Sequence, residues 1–363
     1  MKKFGIFLFA FILSASIQAQ KNILNHMDLG VNVGTVGIGV DVAVPVGDYV
    51  RIRAGYNYMP RFTFHSNFPI ETSTGGSIKY YIEKINSIDI DKKVEELGID
   101  IDQPEFQVYK DALNQFRDVE PRDYVSMGIR PNLHQFKFMV DVMPFKNNKH
   151  WSITAGFFAG PSNVGDACNM EEETKLLQAV NAYNMFYIDY LSNGRNFAGH
   201  GEVEQFTRLY TTNGIAGFPI GYFEDGDKAM MVPSKDGTAR ADLEVNKVRP
   251  YFGFGYNTHL SRNKKWKLTV DAGVMILGKR RVYVNNVYKI NTSLIDPSNE
   301  CYDIIRPNAD ETDYDVDEPL PYAVDLMNDL HDIPSGKVRD MVNTISKFKV
   351  YPNVSLSVSY RLY

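Results

Sequence analysis

The chain has 363 residues and is poor in the features that mark disulfide-framed proteins, helical membrane proteins and nucleic-acid binders. Its two cysteines are too few for a disulfide-rich miniprotein or a cysteine-ligated metal site. After residue 19, no segment reaches the roughly 18 consecutive apolar residues of a membrane helix. A net charge of −5 gives no basis for binding nucleic acid. The hydrophobic fraction of 44% excludes a wholly disordered chain.

Sequence motifs of catalysis are also missing. There is no G-x-S-x-G nucleophile elbow, no H-E-x-x-H zinc motif and no phosphate-binding loop, and the seven histidines are scattered. We therefore expect neither an enzyme nor a bound cofactor. Catalysis by residues at the outer rim of a membrane barrel is the alternative that the missing motifs leave open.

The N-terminus has the pattern of a secretory signal peptide. Lys2 and Lys3 precede an apolar run from Phe4 to Ala15, and Ala19 is a small residue suited to cleavage. We predict a signal peptide at residues 1–19, which leaves residues 20–363 as a single exported barrel domain. An exported chain without a second apolar helix is either soluble or a β-barrel.

Eight segments of the remaining chain alternate apolar and polar residues with a period of two, which predicts strands with two different faces. The segments are 28–33, 36–44, 50–58, 136–143, 151–158, 251–257, 266–276 and 353–362. Links after the second, fourth and sixth segments are short, whereas those after the third, fifth and seventh span 61–133, 161–246 and 279–348. The first link, at Gly34-Thr35, is a short exception. Short turns on one side and long loops on the other are typical of outer-membrane barrels.

This pattern predicts an all-β transmembrane barrel in the outer membrane. We expect an eight-stranded antiparallel up-and-down meander with long, helix-containing extracellular loops. Trp151 and Trp266 stand at strand starts, where an interfacial belt places aromatic residues. The alternative is a soluble sandwich or lipocalin-like barrel, whose apolar face would point inward.

Five strand segments share composition with known proteins: 140–145 (VDVMPF), 154–157 (TAGF), 250–255 (PYFGFG), 271–274 (DAGV) and 359–363 (SYRLY). They resemble small Gram-negative outer-membrane β-barrel proteins of the OmpA/OmpW-like kind. The resemblance implies contact with outer-membrane lipid and recognition of the C-terminal strand by the barrel-assembly machinery. It implies no particular activity. One departure is that the apolar register falls on Leu362 and not on the terminal Tyr363.

The polar faces of the predicted strands carry charges of both signs. An eight-stranded barrel is barely wide enough for its own side chains, so we interpret these residues as a buried network of paired charges. A narrow ion path lined by the same residues is the alternative. The nine residues are Asp28, Asp41, Arg51, Arg53, Lys137, Asp141, Lys267, Asp271 and Arg361.

The three long loops hold 39 acidic and 23 basic residues, so the predicted external surface is acidic. Helical spacing of apolar residues occurs within 104–116, 176–191, 322–330 and 338–345, with Asn169 as a candidate N-cap of the second helix. Loops of this length with amphipathic helices are expected to pack together as a cap.

Two further sites are candidates in these loops. Cys168 and Cys301 would lie outside the reducing cytosol, where they could form a disulfide that ties the second loop to the third. Asp313, Asp315 and Asp317 cluster carboxylates as calcium prefers, but the glycine of an EF-hand loop is missing. A solvated acidic turn is the simpler interpretation of this cluster.

The sequence therefore predicts an outer-membrane barrel that presents an acidic extracellular cap, in a structural or surface-binding role. The alternatives are a narrow channel or small-solute transporter, and an enzyme of the outer rim. Its predicted partners are outer-membrane lipid, the barrel-assembly machinery and an unidentified extracellular ligand or surface partner, with no nucleic acid.

Overall fold

The computed structural model describes residues 26–87, 114–192, 214–290, 319–334 and 336–362, five residues between 92 and 112, and two strands at 305–307 and 314–316. The predicted signal peptide at residues 1–19 lies outside the described residues. Among the described helices, none is long and apolar enough to cross a membrane, a result that does not bear on crossing by strands.

The described residues form three helices with both ends described, and twenty strands. The helices are α1 (Ile78–Asn86), α2 (Thr174–Ser192) and α3 (Lys337–Lys347). The strands are β1 (Asp28–Gly34), β2 (Gly37–Val46), β3 (Val50–Tyr58), β4 (Phe64–Pro69), β5 (Glu71–Thr72), β6 (Tyr124–Pro131), β7 (His134–Val142), β8 (Trp151–Ala159), β9 (Asn163–Asn169), β10 (Ala216–Tyr222), β11 (Lys228–Met231), β12 (Arg240–Glu244), β13 (Val248–His259), β14 (Trp266–Ile276), β15 (Arg281–Val284), β16 (Val287–Ile290), β17 (Ile305–Pro307), β18 (Tyr314–Val316), β19 (Val324–Asp325) and β20 (Val350–Arg361).

Eight of these strands close into an antiparallel barrel in the order β1-β2-β3-β7-β8-β13-β14-β20. They are the eight strands that the alternation predicts, so the predicted fold is confirmed. The barrel closes where β1 pairs with β20, with Val31 opposite Val358. Because consecutive barrel strands are neighbours, three short turns lie at one end (the turn end). The three long connections and the short β1–β2 turn lie at the other (the cap end).

Alternation along each barrel strand separates two chemically different faces. On β1, Leu29, Val31 and Val33 point outward and are exposed, whereas Asp28 and Asn32 point inward and are buried. Exposed large apolar side chains occur on the outer face of all eight barrel strands. A barrel whose outer surface contacts water would bury such residues. The outer face of this barrel is therefore suited to an apolar environment.

The three long connections fold together into a second body, which we call the cap. Its four-stranded sheet has the order β16-β11-β10-β5, and its six-stranded sheet has the order β19-β15-β12-β9-β6-β4. Each sheet takes strands from all three connections. The helices pack on these sheets around one hydrophobic core, to which Leu177, Phe218 and Val342 belong.

The six-stranded cap sheet continues half of the barrel wall. Strands β6, β9, β12 and β15 directly precede or follow β7, β8, β13 and β14 in the chain and keep the same neighbour order. On the other side of the rim, the β1–β2 turn at Thr35-Val36 is short and ends the wall. The cap therefore rests on one side of the barrel mouth and leaves a gap above β1 and β2.

Two of the predicted loop helices are present as α2 and α3. The prediction of a helix at 322–330 was wrong, because this segment forms a short strand and a turn. Asp325 Oδ1 stabilises them by accepting from the N–H groups of Val282 and Met327, both at 3.1 Å. Asn169 was also wrong as an N-cap, because its Oδ1 accepts from Ala239 N at 2.9 Å. The predicted helix within 104–116 lies largely outside the described residues.

Candidate functional site

The nine charged residues predicted on the polar faces of the strands lie on the inner side of the barrel. Seven of the nine are buried, and Lys267 and Arg361 are half-buried near the turn end. The buried residues are Asp28, Asp41, Arg51, Arg53, Lys137, Asp141 and Asp271.

Asp141 on β7 is the centre of the largest group of ion pairs, and its side chain has no exposed surface. Arg51 Nη2 lies 2.6 Å from Asp141 Oδ2, and Arg53 Nη2 lies 2.8 Å from Oδ1. The Thr154 hydroxyl donates to Oδ1 at 2.8 Å. One carboxylate thus accepts from two guanidinium groups and a hydroxyl, which satisfies a buried anion.

Arg53 links this centre to the opposite wall. Its Nη1 and Nη2 donate to the two carboxylate oxygens of Asp271 at 2.6 and 3.1 Å. Because β3 and β14 are four strands apart in the closed eight-stranded order, this bidentate pair spans the width of the barrel. The guanidinium and carboxylate therefore occupy the axis where a pore would run.

A second ion pair lies beside the first. Lys137 Nζ is 2.5 Å from Asp41 Oδ1, and Asn32 donates to Asp41 Oδ2 at 3.0 Å. Asn57 donates in turn to Asn32 at 2.7 Å. This chain of contacts connects β7, β2, β1 and β3 through the barrel interior.

The turn end is more loosely paired. Arg361 Nε lies 3.9 Å from Asp28 Oδ1, and His26 Nε2 lies 3.5 Å from the same oxygen. Within the described part of the chain, Lys267 has no carboxylate within 4 Å. The structure therefore brings Arg361 to Asp28 but leaves Lys267 outside the ion-pair network.

Inward glycines provide the space that these large side chains fill. A Cβ at Gly55 would lie 2.4 Å from Asp41 Oδ1, and one at Gly255 would lie 2.8 Å from Asp271 Oδ1. A Cβ at Gly253 would lie 2.4 Å from the Tyr251 hydroxyl. Since real Cβ contacts are not this short, any larger residue would displace the network.

An apolar layer and a buried arginine close the cap end of the interior. Val36, Met139, Phe158, Tyr251 and Met275 form a buried cluster above the ion pairs.

Arg249 is buried at this end and donates to Gln135 Oε1 at 2.7 Å, to Asn246 O at 2.8 Å and to Pro161 O. Arg249 was not among the predicted inner-face residues, because the predicted strand began after it. Extending the alternation of Tyr251 and Gly253 by one step would have placed it on the inner face.

Polar contacts inside the cap fix its pieces to one another. Asn184 on α2 donates to Ala216 O and accepts from Ala216 N, both at 2.7 Å, which joins the helix to β10. Arg122 forms a two-point pair with buried Glu173 at 3.2 and 3.1 Å. Burial, with a smaller effect of neighbouring Tyr80, raises the pKa of Tyr81 to about 12, consistent with an apolar core around it.

The structure describes one residue of the candidate disulfide and one of the aspartate cluster. Cys168 lies half-buried on β9, while Cys301 lies outside the described residues, so the disulfide stays a prediction. Asp313 and Asp317 also lie outside them, and Asp315 stands on β18. Among the residues that are described, no group of three or more His, Cys, Asp or Glu side chains could hold a metal ion.

Comparisons with known proteins complete the description of the site. No protein-family model matches the chain, and no curated protein matches it. It is similar to the crystal structure of Acinetobacter baumannii CarO2 (12% identity, TM-score 0.36, 93% of this chain and 98% of that chain). It is also similar to A. baumannii CarO (10% identity, TM-score 0.34, 94% of this chain and 99% of that one). At these values the similarity defines neither a family nor a function, and the assignment of an eight-stranded barrel follows from the strand pairing itself.

Proposed function

We propose that the protein is an outer-membrane β-barrel with a closed interior. The barrel anchors the cap, and the cap presents an acidic, partner-binding surface outside the cell. The observation that carries this proposal is the Arg53–Asp271 pair, which fills the barrel axis between opposite walls. A barrel so filled is better suited to hold a surface domain than to conduct solutes.

Aromatic side chains at both ends of the barrel support a membrane location. At the turn end, the Trp151 ring lies 5.0 Å from Tyr256, and the Trp266 ring lies 5.0 Å from Tyr360. At the cap end, Phe136 is exposed beside Tyr56, with ring centroids 5.0 Å apart. Such girdles flank the apolar band of membrane barrels, where amphipathic rings meet the headgroups.

The cap is the part of the molecule that is available to a partner. Since β1 starts and β20 ends at the turn end, an exported chain would leave that end in the periplasm and the cap outside. The connections carry 39 acidic and 23 basic residues, so the cap favours a partner with a basic or cationic surface. Strand β20, which closes the barrel, would be the segment recognised by the assembly machinery.

The first experiment tests insertion. Protein refolded into phosphatidylcholine vesicles should migrate differently on gels before and after boiling, because a folded barrel resists the detergent at room temperature. External protease should cleave within 61–133 on intact cells. Recovery in the soluble fraction without a heat-modifiable form would refute the membrane barrel, and protection of the loops would reverse the orientation.

The second experiment tests the closed interior. Purified protein in a planar bilayer should give no reproducible conductance steps, because ion pairs and an apolar layer occupy the lumen. The conservative variant Arg53→Lys keeps the charge but loses the two-point contact, and its conductance would show whether that contact closes the path. Reproducible channels in the unmodified protein whose conductance changes in the charge-reversal variant Arg53→Glu would favour a narrow channel over an anchor.

A further inference from the structure

A cavity of about 800 Å³ lies at the gap between the barrel rim and the cap. Its walls are almost entirely apolar, and they come from the β1–β2 turn, the start of the first connection and the segments around Leu277 and Phe348. This volume is within the range of about 300–1,000 Å³ found for small-molecule sites. Met275, a member of the apolar layer at the cap end of the barrel interior, forms part of its wall.

The cavity opens on the lipid-facing surface of the barrel. Val33 and Ile38 line it, and both belong to the outer face of their strands, with exposures of 55% and 51%. Phe64, at 60% exposure, stands at the same opening. A shallow apolar groove shares Val33 with the cavity and continues past Leu356 along the outer wall. The cavity is thus continuous with the surface that bilayer chains would contact.

One cationic side chain lines this apolar space. Arg280 is half-buried, and its Nη1 donates to Gly278 O at 3.1 Å. Its Nε is buried and has no hydrogen-bond partner. Within the described ranges, no carboxylate lies within 4 Å of Arg280. A buried N–H group without an acceptor is costly, and the rest of this half-buried guanidinium can contact an anion at the cavity wall.

Exposed lysines surround the same rim. Backbone hydrogen bonds from Leu277 N to Lys349 O at 3.3 Å and from Asn246 N to Leu277 O at 3.0 Å bring three chain segments together. Lys247, Lys279 and Lys349 follow on these segments and are exposed. Among the described residues, none of the three forms an ion pair. This rim is basic although the connections as a whole are acidic.

We propose that the cavity binds an acyl chain of an anionic, phosphorylated lipid from the outer leaflet of the bilayer, and that Arg280 and the rim lysines contact its phosphate. Anionic headgroups are attracted to such basic residues at the membrane surface. The inference rests on the proposed function, because it needs the cap end to face the outer headgroup layer.

The test uses the full chain in phosphatidylcholine vesicles and a fluorescent reporter at the cavity mouth. The chain has only two tryptophans, Trp151 and Trp266, and both are replaced by phenylalanine. Phe348→Trp then introduces one indole at the opening. Phosphatidylglycerol or phosphatidylcholine with brominated acyl chains is added at equal mole fraction, and quenching of the indole measures the relative affinity of each lipid.

We expect brominated phosphatidylglycerol to bind about fivefold more tightly than brominated phosphatidylcholine, because the choline ammonium offsets the phosphate charge and the two lipids therefore differ by one net charge. Arg280→Gln should reduce this preference, while the rim lysines retain part of it. Lys146→Gln, a loss of charge in a short turn at the opposite end, is the matched control and should retain it. Val164→Phe narrows the cavity and should reduce quenching by the anionic lipid, while the heat-modifiable form shows that the barrel still folds.

Each contrary result has a defined meaning. Equal quenching by the two lipids in a heat-modifiable barrel would overturn the lipid site but leave the proposed function standing. Absence of a heat-modifiable form would overturn the proposed function itself. Tighter binding of brominated stearate than of phosphatidylglycerol would make a free fatty acid the occupant. Loss of the preference on adding sodium phosphate would reduce Arg280 to a simple anion site.

Discussion

Asp141→Asn is the substitution that most directly tests the interior network. The side chain keeps its size but loses the charge that faces Arg51 and Arg53 at 2.6 and 2.8 Å. Arg53 retains Asp271, whereas Arg51 retains only the amide oxygen of Asn257 at 2.9 Å. One buried guanidinium is therefore left without a counter-ion.

The expected cost follows from this geometry. Removing one partner of a buried ion pair typically lowers the free energy of unfolding by about 3–5 kcal/mol, because the remaining charge stays desolvated. Urea unfolding in phosphatidylcholine vesicles, followed through the fluorescence of Trp151 and Trp266, measures this loss. The slope with urea must stay unchanged for the comparison to report stability alone.

Asp48→Asn is the matched control. Asp48 pairs with Lys149 at 3.8 Å in an exposed turn, where such a pair contributes about 0–1 kcal/mol. If Asp141→Asn lowers stability by no more than Asp48→Asn, the interior ion pairs do not stabilise the barrel.

Three further substitutions or measurements test other parts of the molecule. Gly55→Ala should lower the urea midpoint through about 1–3 kcal/mol of overpacking, because its Cβ would lie 2.4 Å from Asp41 Oδ1; an unchanged midpoint would contradict this. Asn184→Ala loses both hydrogen bonds to Ala216, so limited proteolysis should cleave the cap faster while the heat-modifiable barrel persists. Peptide mapping without reductant should recover Cys168 linked to Cys301, and two separate thiol peptides would exclude that disulfide.

The barrel strands could be predicted because each has two unlike faces. Along β13, Phe252 and Phe254 face outward while Gly253 and Gly255 face inward, and this period of two is visible in the sequence alone. The cap strands lack this contrast. All four residues of β11 are buried, so the two faces of that strand are equally enclosed and no alternation marks it.

The inner-face charges could be predicted, but their partners could not. Arg51 reaches Asp141 on the neighbouring strand, as proximity in the chain order suggests. Arg53 instead reaches Asp271 on the opposite wall, and only the register and closure of the barrel bring those two together. Arg280 and the cavity depend on where the cap rests, which no local pattern encodes.

The interleaved strands of the cap have a consequence for assembly. Neither cap sheet is complete until β16 and β19 of the third connection have joined the strands of the first two, and only α3 and β20 follow them in the chain. In the proposed orientation, the folded cap can therefore appear only after all three connections have crossed the membrane. Once formed, it is too large to pass back through a filled barrel, so extraction of any one hairpin must first unfold the cap. This coupling makes resistance to extraction a matter of unfolding rate as well as equilibrium stability.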